Sequence, residues 1–383
     1  MSLSADASAL AISTPYYPTG DDDDDDDSSS PGQVRVLQWE NDQWNPMGSP
    51  LTGPPGSRFG ESVALDATGS TLVIGAYMQD GNNGQLLYAG AVFVYRFNNN
   101  NGEWEPQGQV IRGTLPCTFT GYSVSISGDA TRIVVASPYN QGIRADCTSL
   151  VGQDIPHTTV YDLDGDTWVQ VGNRIDGSEW GSSIVALSRD GETLSINTAQ
   201  GLTTVFRQDD TTGEWEPQTT ISTEIGEYYT RGAALNADGT QVAVAGKLME
   251  NGAAYVQLLR ELDTGGEWVP IGQTIVDEEE CCSWYTYENS VAMSDSGHVL
   301  VFGNQGFGQD GQSAFVGSAH VYVFSEATAS WELSGSFFGE LIRDEPFSQY
   351  EVWFGYSTAV SADGRTIAIG APNHAYVEVY DYM

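Results

Sequence analysis

The chain has 383 residues, too many for one ordinary domain and few for three. Its formal charge is −38, from 14 Lys+Arg against 52 Asp+Glu. A surface of that sign repels nucleic-acid phosphates and anionic lipid headgroups; it favours cations and basic partners, or serves solubility alone. No apolar run reaches the length a bilayer-spanning helix needs, and Met1 leads into strand-like sequence rather than into a basic and then apolar leader.

The first element is SADASALAIST (4–14), which aligns without a gap on SADGRTIAIGA (361–371). Between them lie SVALDATGSTLVIGA (62–76), SVSISGDATRIVVAS (123–137), IVALSRDGETLSINT (184–198), AALNADGTQVAVAG (233–246) and SVAMSDSGHVLVFG (290–303). Each is a pair of alternating apolar runs around a tight polar turn, the pattern of a β-hairpin, strands a and b. The turn position falls at Ser4, Asp66, Ser127, Ser188, Asn236, Ser294 and Ser361.

A third run follows each hairpin: QVRVLQW (33–39), AVFVYRF (91–97), TTVYDL (158–163), TTVFRQ (203–208), AYVQLLREL (254–262), AHVYVFS (319–325) and YVEVYDY (376–382). These strands c are rich in β-branched and aromatic residues, as half-buried strands are. A fourth element carries a tryptophan: DQWNPMG (42–48), GEWEPQG (102–108), DTWVQVG (166–172), GEWEPQT (213–219), GEWVPIG (266–272) and ASWELSG (329–335). The a–b–c set occurs seven times and the tryptophan strand d six times.

Four strands repeated at a period of about 60 residues predict an all-β, seven-bladed β-propeller of four-stranded antiparallel blades, the first and last incomplete. The blades are expected near 1–48, 61–108, 121–172, 182–219, 231–272, 289–335 and 356–383, in one domain. No sustained 3.6-residue period supports helical repeats.

Because the strands alternate in direction, the b–c and d–a connections share one side of the blades. Their lengths vary, from QG (200–201) to YNQGIRADCTSLVGQDIPH (139–157), whereas the a–b and c–d turns stay short. Variable loops on a rigid scaffold are where recognition concentrates, although tolerated insertions look the same in sequence. Trp284, Tyr285, Tyr350 and Trp353 lie in the longest d–a connections and are the candidate ligand-binding residues.

The first b–c connection holds Asp21, Asp22, Asp23, Asp24, Asp25, Asp26 and Asp27. Adjacent carboxylates repel, so 15–32 is expected to be an unpacked, disordered loop; the oxygens would also suit a weak multidentate site for a hard cation such as Ca²⁺. Cys117 and Cys147 fall in connections on the same side of one blade, which makes a disulfide reasonable; Cys281 and Cys282 are adjacent and form either a vicinal bridge or two thiols. His157, His298, His320 and His374 show no ligand spacing and read as surface or packed residues. No nucleophile elbow and no Gly-rich phosphate loop is present in the sequence.

RFGESVAL (58–65) with LVIGA (72–76), and WFGYSTAVS (353–361) with IAIGAP (367–372), resemble the FG-GAP repeats of integrin-α-type propellers. The element GEWEPQGQVIRG (102–113) resembles that of a related group of large secreted or surface proteins. The resemblance implies a non-enzymatic binding or adhesion module, outside the cell or on its surface, with a protein or glycan ligand and no catalytic residues. Integrin-type repeats hold Ca²⁺ in a D-x-D-x-D-G loop between strands a and b. Here that connection is only a tight turn, SADGR (361–365) or SRDGE (188–192), and DLDGD (162–166), the nearest match, falls between c and d. The competing readings are a propeller hydrolase or lyase acting on polysaccharide with an axial site, and an intracellular interaction scaffold.

Overall fold

The structure, a computed structural model, describes residues 1–15, 31–81, 84, 86–138, 147, 155–177, 184–198, 202–222, 232–247, 253–262, 266–277, 289–305, 315–340, 351–372 and 375–382. Among them all regular structure is β apart from isolated single-turn residues, and the strands form seven sheets, the blades of a β-propeller. Blade 1 is β1 (Ser2–Leu3), β2 (Ala9–Thr14), β3 (Gln33–Glu40), β4 (Gln43–Pro46) and β5 (Leu51–Thr52). Blade 2 is β6 (Val63–Leu65), β7 (Thr71–Ala76), β8 (Ala91–Asn98), β9 (Glu103–Pro106) and β10 (Ile111–Arg112). Blade 3 is β11 (Ser123–Ile126), β12 (Arg132–Ser137), β13 (His157–Asp164), β14 (Thr167–Gln170) and β15 (Ile175–Asp176). Blade 4 is β16 (Ile184–Leu187), β17 (Thr193–Asn197), β18 (Leu202–Gln208) and β19 (Trp215–Ser222). Blade 5 is β20 (Gly232–Leu235), β21 (Gln241–Lys247), β22 (Ala254–Glu261), β23 (Trp268–Pro270) and β24 (Ile275–Asp277). Blade 6 is β25 (Asn289–Met293), β26 (Val299–Asn304), β27 (Phe315–Ser325), β28 (Ser330–Phe338) and β29 (Glu351–Phe354). Blade 7 has three strands, β30 (Ser357–Val360), β31 (Thr366–Ala371) and β32 (Tyr376–Asp381).

The chain divides into two compact units, Met1–Thr198 with Arg207–Glu216 and Ala199–Phe206 with Pro217–Met383, so blade 4 has strands in both. In the first unit, Leu72 and Ile74 of β7 pack with Ala9, Ala11, Val34 and Val36 of blade 1, and Val73, Val92 and Val94 pack with Ile133 and Val135 of blade 3. In the second, Leu300 and Phe302 pack with Ala243, Ala245, Val256 and Leu258 of blade 5, and Val301, Ala319 and Val321 with Ile367 and Ile369 of blade 7. Both faces of every strand b are therefore apolar except in β17, where buried Ser195 and Asn197 stand at the level of Val134 and Ala136 in β12.

The turn position found by sequence comparison is buried in all seven blades. Its side-chain oxygen accepts the backbone N–H five residues on: Ser4 from Ala9, Asp66 from Thr71, Ser127 from Arg132, Ser188 from Thr193, Asn236 from Gln241, Ser294 from Val299 and Ser361 from Thr366, at 2.7–3.0 Å. A side-chain acceptor thus closes each hairpin, which is why the position takes Ser, Asn or Asp. The next residue links blades through the backbone: Ala5 donates to Ala67, Ala67 to Gly128 and Gly128 to Arg189; in the other unit Ala237 donates to Asp295 and Asp295 to Ala362.

The tryptophan element is one strand in two pieces in blades 1, 2, 3 and 5. In blade 2, β9 pairs with the far half of β8 and β10 with its near half, Ile111 opposite Val92. The break falls at Gly108, at φ +75°, where the indole of Trp168 from the next blade lies so close that a Cβ would be 2.7 Å from its Cδ1. Gly48 meets Trp104, Gly172 meets Trp215 and Gly272 meets Trp331 in the same way. The indole N–H of Trp104, Trp168 and Trp331 donates to the carbonyl of Met47, Gln107 and Ile271. The following amide completes the joint: Gln109 and Gln273 each bond both the N–H and the C=O of that tryptophan. The W-x-P-x-G-Q pattern is therefore a blade-to-blade clasp. Blade 4 has Thr219 where the glycine would be, and its strand d, β19, runs unbroken.

Candidate functional site

The a–b turns spend their polar groups on the scaffold. Asp6, Asp129, Asp190, Asp238 and Asp363 each accept a side-chain hydrogen bond from the capping Ser or Asn two residues earlier, and a backbone N–H two residues later. Partial burial works against ionisation of Asp6, Asp129 and Asp238, but these bonds outweigh it and hold the carboxyls below the usual range. The c–d turn at 162–166 is structural: Asp162 makes a two-pronged ion pair with Arg132, whose guanidinium also bonds the Gly191 carbonyl and lies over Trp215. Among the described residues no three His, Cys, Asp or Glu side chains converge as metal ligands would.

Blade-specific chemistry lies instead at the opposite end of the strands. One position on strand c, opposite an apolar residue of strand b, is Arg35 in blade 1, Phe93 in blade 2, Thr159 in blade 3, Gln257 in blade 5, His320 in blade 6 and Glu378 in blade 7. The scaffold is constant and this residue is not.

Around His320 the side chains form a connected polar cluster in blade 6. Its Nδ1 is 2.9 Å from Ser336 Oγ on β28, the residue directly across the ladder. Its Nε2 is 3.1 Å from Ser318 Oγ and 3.6 Å from Asp277 Oδ2, at the end of β24 of blade 5. Asn304, at the end of β26, donates to the same Asp277 oxygen at 2.9 Å. Asp277 and the imidazole are almost fully enclosed, while Ser336 is exposed. Burial, and then the Asp277 charge, push the Tyr322 phenol above its ordinary range. The exposed ring of Phe338, 47% accessible, stands edge-on to His320 at 6.0 Å, and Val276 beside Asp277 is also exposed. The surface thus offers a hydroxyl, held from behind by a buried imidazole, next to an aromatic ring. Such a patch can exchange hydrogen bonds with a ligand and cover its apolar face.

This cluster lies where 278–288, 306–314 and 341–350 join the sheet, the connections that carry the expected recognition residues. Trp284, Tyr285 and Tyr350, together with Cys281, Cys282 and Asp21 to Asp27, lie outside the described residues. At the end of the expected 15–32 loop, Pro31 and Gly32 are packed: Ser57 bonds the Pro31 carbonyl and Gly53 the Gly32 carbonyl. Trp353 is half-buried at φ +57° and stacks on Tyr356, its ring planes 14° apart; its strand β29 runs parallel to the start of β27, the strand of Ser318 and His320. The Cys117–Cys147 disulfide is present, with Cα atoms 5.9 Å apart, packed among Tyr77, Met78, Phe119, Tyr88 and Tyr122. Left-handed backbone at Tyr88, Cys117 and Phe119 marks this connection as held by its packing. The sequence marks His320 only as a surface or packed residue, because no motif surrounds it, and it is packed; the one further signal is its departure from the other copies of its position.

The family model for the FG-GAP repeat matches residues 53–95, blade 2 from the loop before β6 into β8. The chain is an FG-GAP-like β-propeller. The glycines of that motif have a physical role here: a Cβ on Gly75 would be 1.9 Å from the Gly121 carbonyl oxygen of the next blade, and one on Gly303 2.1 Å from that of Gly355. No curated protein matches the sequence. Among solved structures, the FG-GAP-like propeller is similar to Kuenenia stuttgartiensis hydrazine synthase (TM-score 0.60, 16% identity, 99% of this chain and 94% of that one). It is also similar to a protein titled as a putative 6-phosphogluconolactonase from Bacteroides uniformis (0.62, 13%, 98% and 92%) and to the periplasmic gluconolactonase PpgL of Pseudomonas aeruginosa (0.58, 17%, 92% and 88%). At these identities the likeness is one of fold.

Proposed function

We propose that this propeller is a non-enzymatic binding module of a secreted or cell-surface protein, taking a protein or glycan ligand at the ends of the blades where the b–c and d–a connections leave. The observation that carries this reading is the contrast between the two ends. Seven a–b turns share one closed hydrogen-bond motif, while the strand-c position of His320 carries a different residue in each of the six blades compared above. The contact residues are Ser336, positioned by the buried His320, Phe338 and Trp353, with Trp284, Tyr285 and Tyr350 in the adjoining connections. The disulfide supports an oxidising location.

The test is a glycan and protein-ligand array probed with the purified chain and with His320→Ala and Phe338→Ala. The expected result is a saturable ligand whose affinity falls at least tenfold in both variants, with no turnover of lactone or polysaccharide substrates. The Ser336–His320 contact also resembles the pairing that activates a nucleophile, and two of the three structural neighbours named above carry lactonase titles. Covalent labelling of Ser336 by a fluorophosphonate, or lactone hydrolysis lost in His320→Ala, would replace the binding reading with a catalytic one.

A further inference from the structure

Two nitrogens of one buried ring decide what the blade-6 surface presents to a ligand. An imidazole with a single ring proton has one donor nitrogen and one acceptor nitrogen, and its surroundings choose between them. At His320 that proton belongs on Nε2, which stands 3.6 Å from Asp277 Oδ2 and 3.1 Å from Ser318 Oγ. The Asn304 amide donates to the same Asp277 oxygen at 2.9 Å, which favours the ionised carboxylate beside the ring. A proton on Nε2 leaves Nδ1 as an acceptor, 2.9 Å from Ser336 Oγ. The Ser336 hydroxyl therefore donates inward to Nδ1, and the free lone pairs of its oxygen face solvent. Ser336 is exposed while His320 and Asp277 are enclosed, so the outward end of this relay is the serine oxygen, an acceptor.

We infer that Ser336 accepts a hydrogen bond from a lysine ammonium of a basic polypeptide, with His320 as the positioning residue that fixes the direction of the hydroxyl. The inference rests on the reading of this end of blade 6 as a recognition surface, and it gives that surface its ligand chemistry. A sugar hydroxyl would also donate, but three observations favour the ammonium. The ring of Phe338, 47% accessible, adjoins the pair, and an aromatic ring attracts a cation. A neutral imidazole does not offset the Asp277 charge behind Ser336. The formal charge of −38 draws a basic polypeptide to the chain from solution. A second ring proton reverses the relay: Nδ1 donates to Ser336, the serine hydrogen turns outward, and a positive charge stands behind it. Among the described side chains Asp277 on β24 and Tyr322 on β27 are the titratable groups of this cluster; β26 and β28 contribute the uncharged Asn304, Ser336 and Phe338.

The experiment is fluorescence anisotropy at about pH 8 and about 0.15 M sodium chloride, with the intact chain titrated into a labelled glycine–lysine peptide and into the same peptide with every lysine trimethylated. Trimethylation keeps the charge and removes every ammonium N–H without touching the protein, so it cannot act through misfolding. Saturable binding is expected, weakened about tenfold by trimethylation and about tenfold by Ser336→Ala with the melting temperature held. Lowering the pH to about 5 crosses the range in which imidazoles gain charge; affinity is expected to fall about fivefold or more in the unmodified chain and to change little in His320→Gln. Binding that ignores both trimethylation and Ser336→Ala is attraction to net charge alone and would overturn the inference. So would the absence of saturable binding, or an equal pH response in His320→Gln. A neutral glycan that binds in place of the peptide and is lost in Phe338→Ala would overturn the ammonium while leaving this end of blade 6 a recognition surface.

Discussion

Ser127 shows how much one hydroxyl does in this fold. It accepts the Arg132 N–H, donates to Asp129, and sits fully buried under the turn it closes. Ser127→Ala leaves that N–H without its acceptor, and a loss of about 1–2 kcal/mol is expected in urea unfolding. Asp129 itself is opposed by burial, yet its bonds from Ser127 and Thr131 keep it ionised to lower pH than an ordinary carboxyl. A depressed carboxyl contributes stability that is complete above its unfolded value near 4 and is lost as pH falls through the lower folded value. Melting temperature is therefore expected to drop below about pH 4, and Asp129→Asn to flatten part of that drop. The capping positions were legible in the sequence because they recur with the repeat. His320 was not, because Asp277 and Ser336 reach it from two other strands, Ser318 from two residues earlier in its own, and Asn304 joins through Asp277, at spacings no motif records.

At the scale of the element, the tryptophan strands are joints between blades before they are strands. Trp168 is buried over Gly108, bonds the Gln107 carbonyl, and is gripped by the Gln109 amide. Trp168→Ala opens a cavity between blades 2 and 3, with an expected cost of about 3–5 kcal/mol. Gly108→Ala must push a Cβ into the indole from a left-handed backbone, with about 1–3 kcal/mol expected by the same denaturation measurement. The tryptophan pattern in the sequence marks the first piece of strand d, and the second piece beyond the glycine is visible only in the structure. The break at the glycine follows from the neighbouring blade's indole, a contact more than fifty residues away that a local pattern does not reveal. Two blades have an unbroken strand d: blade 4, with Thr219 in place of the glycine, and blade 6, whose Gly335 meets Tyr382 rather than an indole.

At the scale of the whole molecule, charge and covalent chemistry decide stability together. A formal charge of −38 repels itself, so melting temperature is expected to rise with sodium chloride up to a few hundred millimolar as the Debye length shortens. Reduction of Cys117–Cys147 frees a segment of 30 residues and is expected to cost about 2–4 kcal/mol, read as a lower melting temperature in dithiothreitol. Seven blades were legible from the repeated hairpins alone. The division into two units was not. The central claim is that ligand recognition belongs to the blade-6 end of the strands and the scaffold to the a–b turns. The direct test is the affinity of the array-identified ligand for two variants that keep the fold, Phe338→Ala beside His320 and Asp363→Asn in a turn of blade 7. The account requires at least a tenfold loss for Phe338→Ala and unchanged affinity for Asp363→Asn; the reverse order would contradict it.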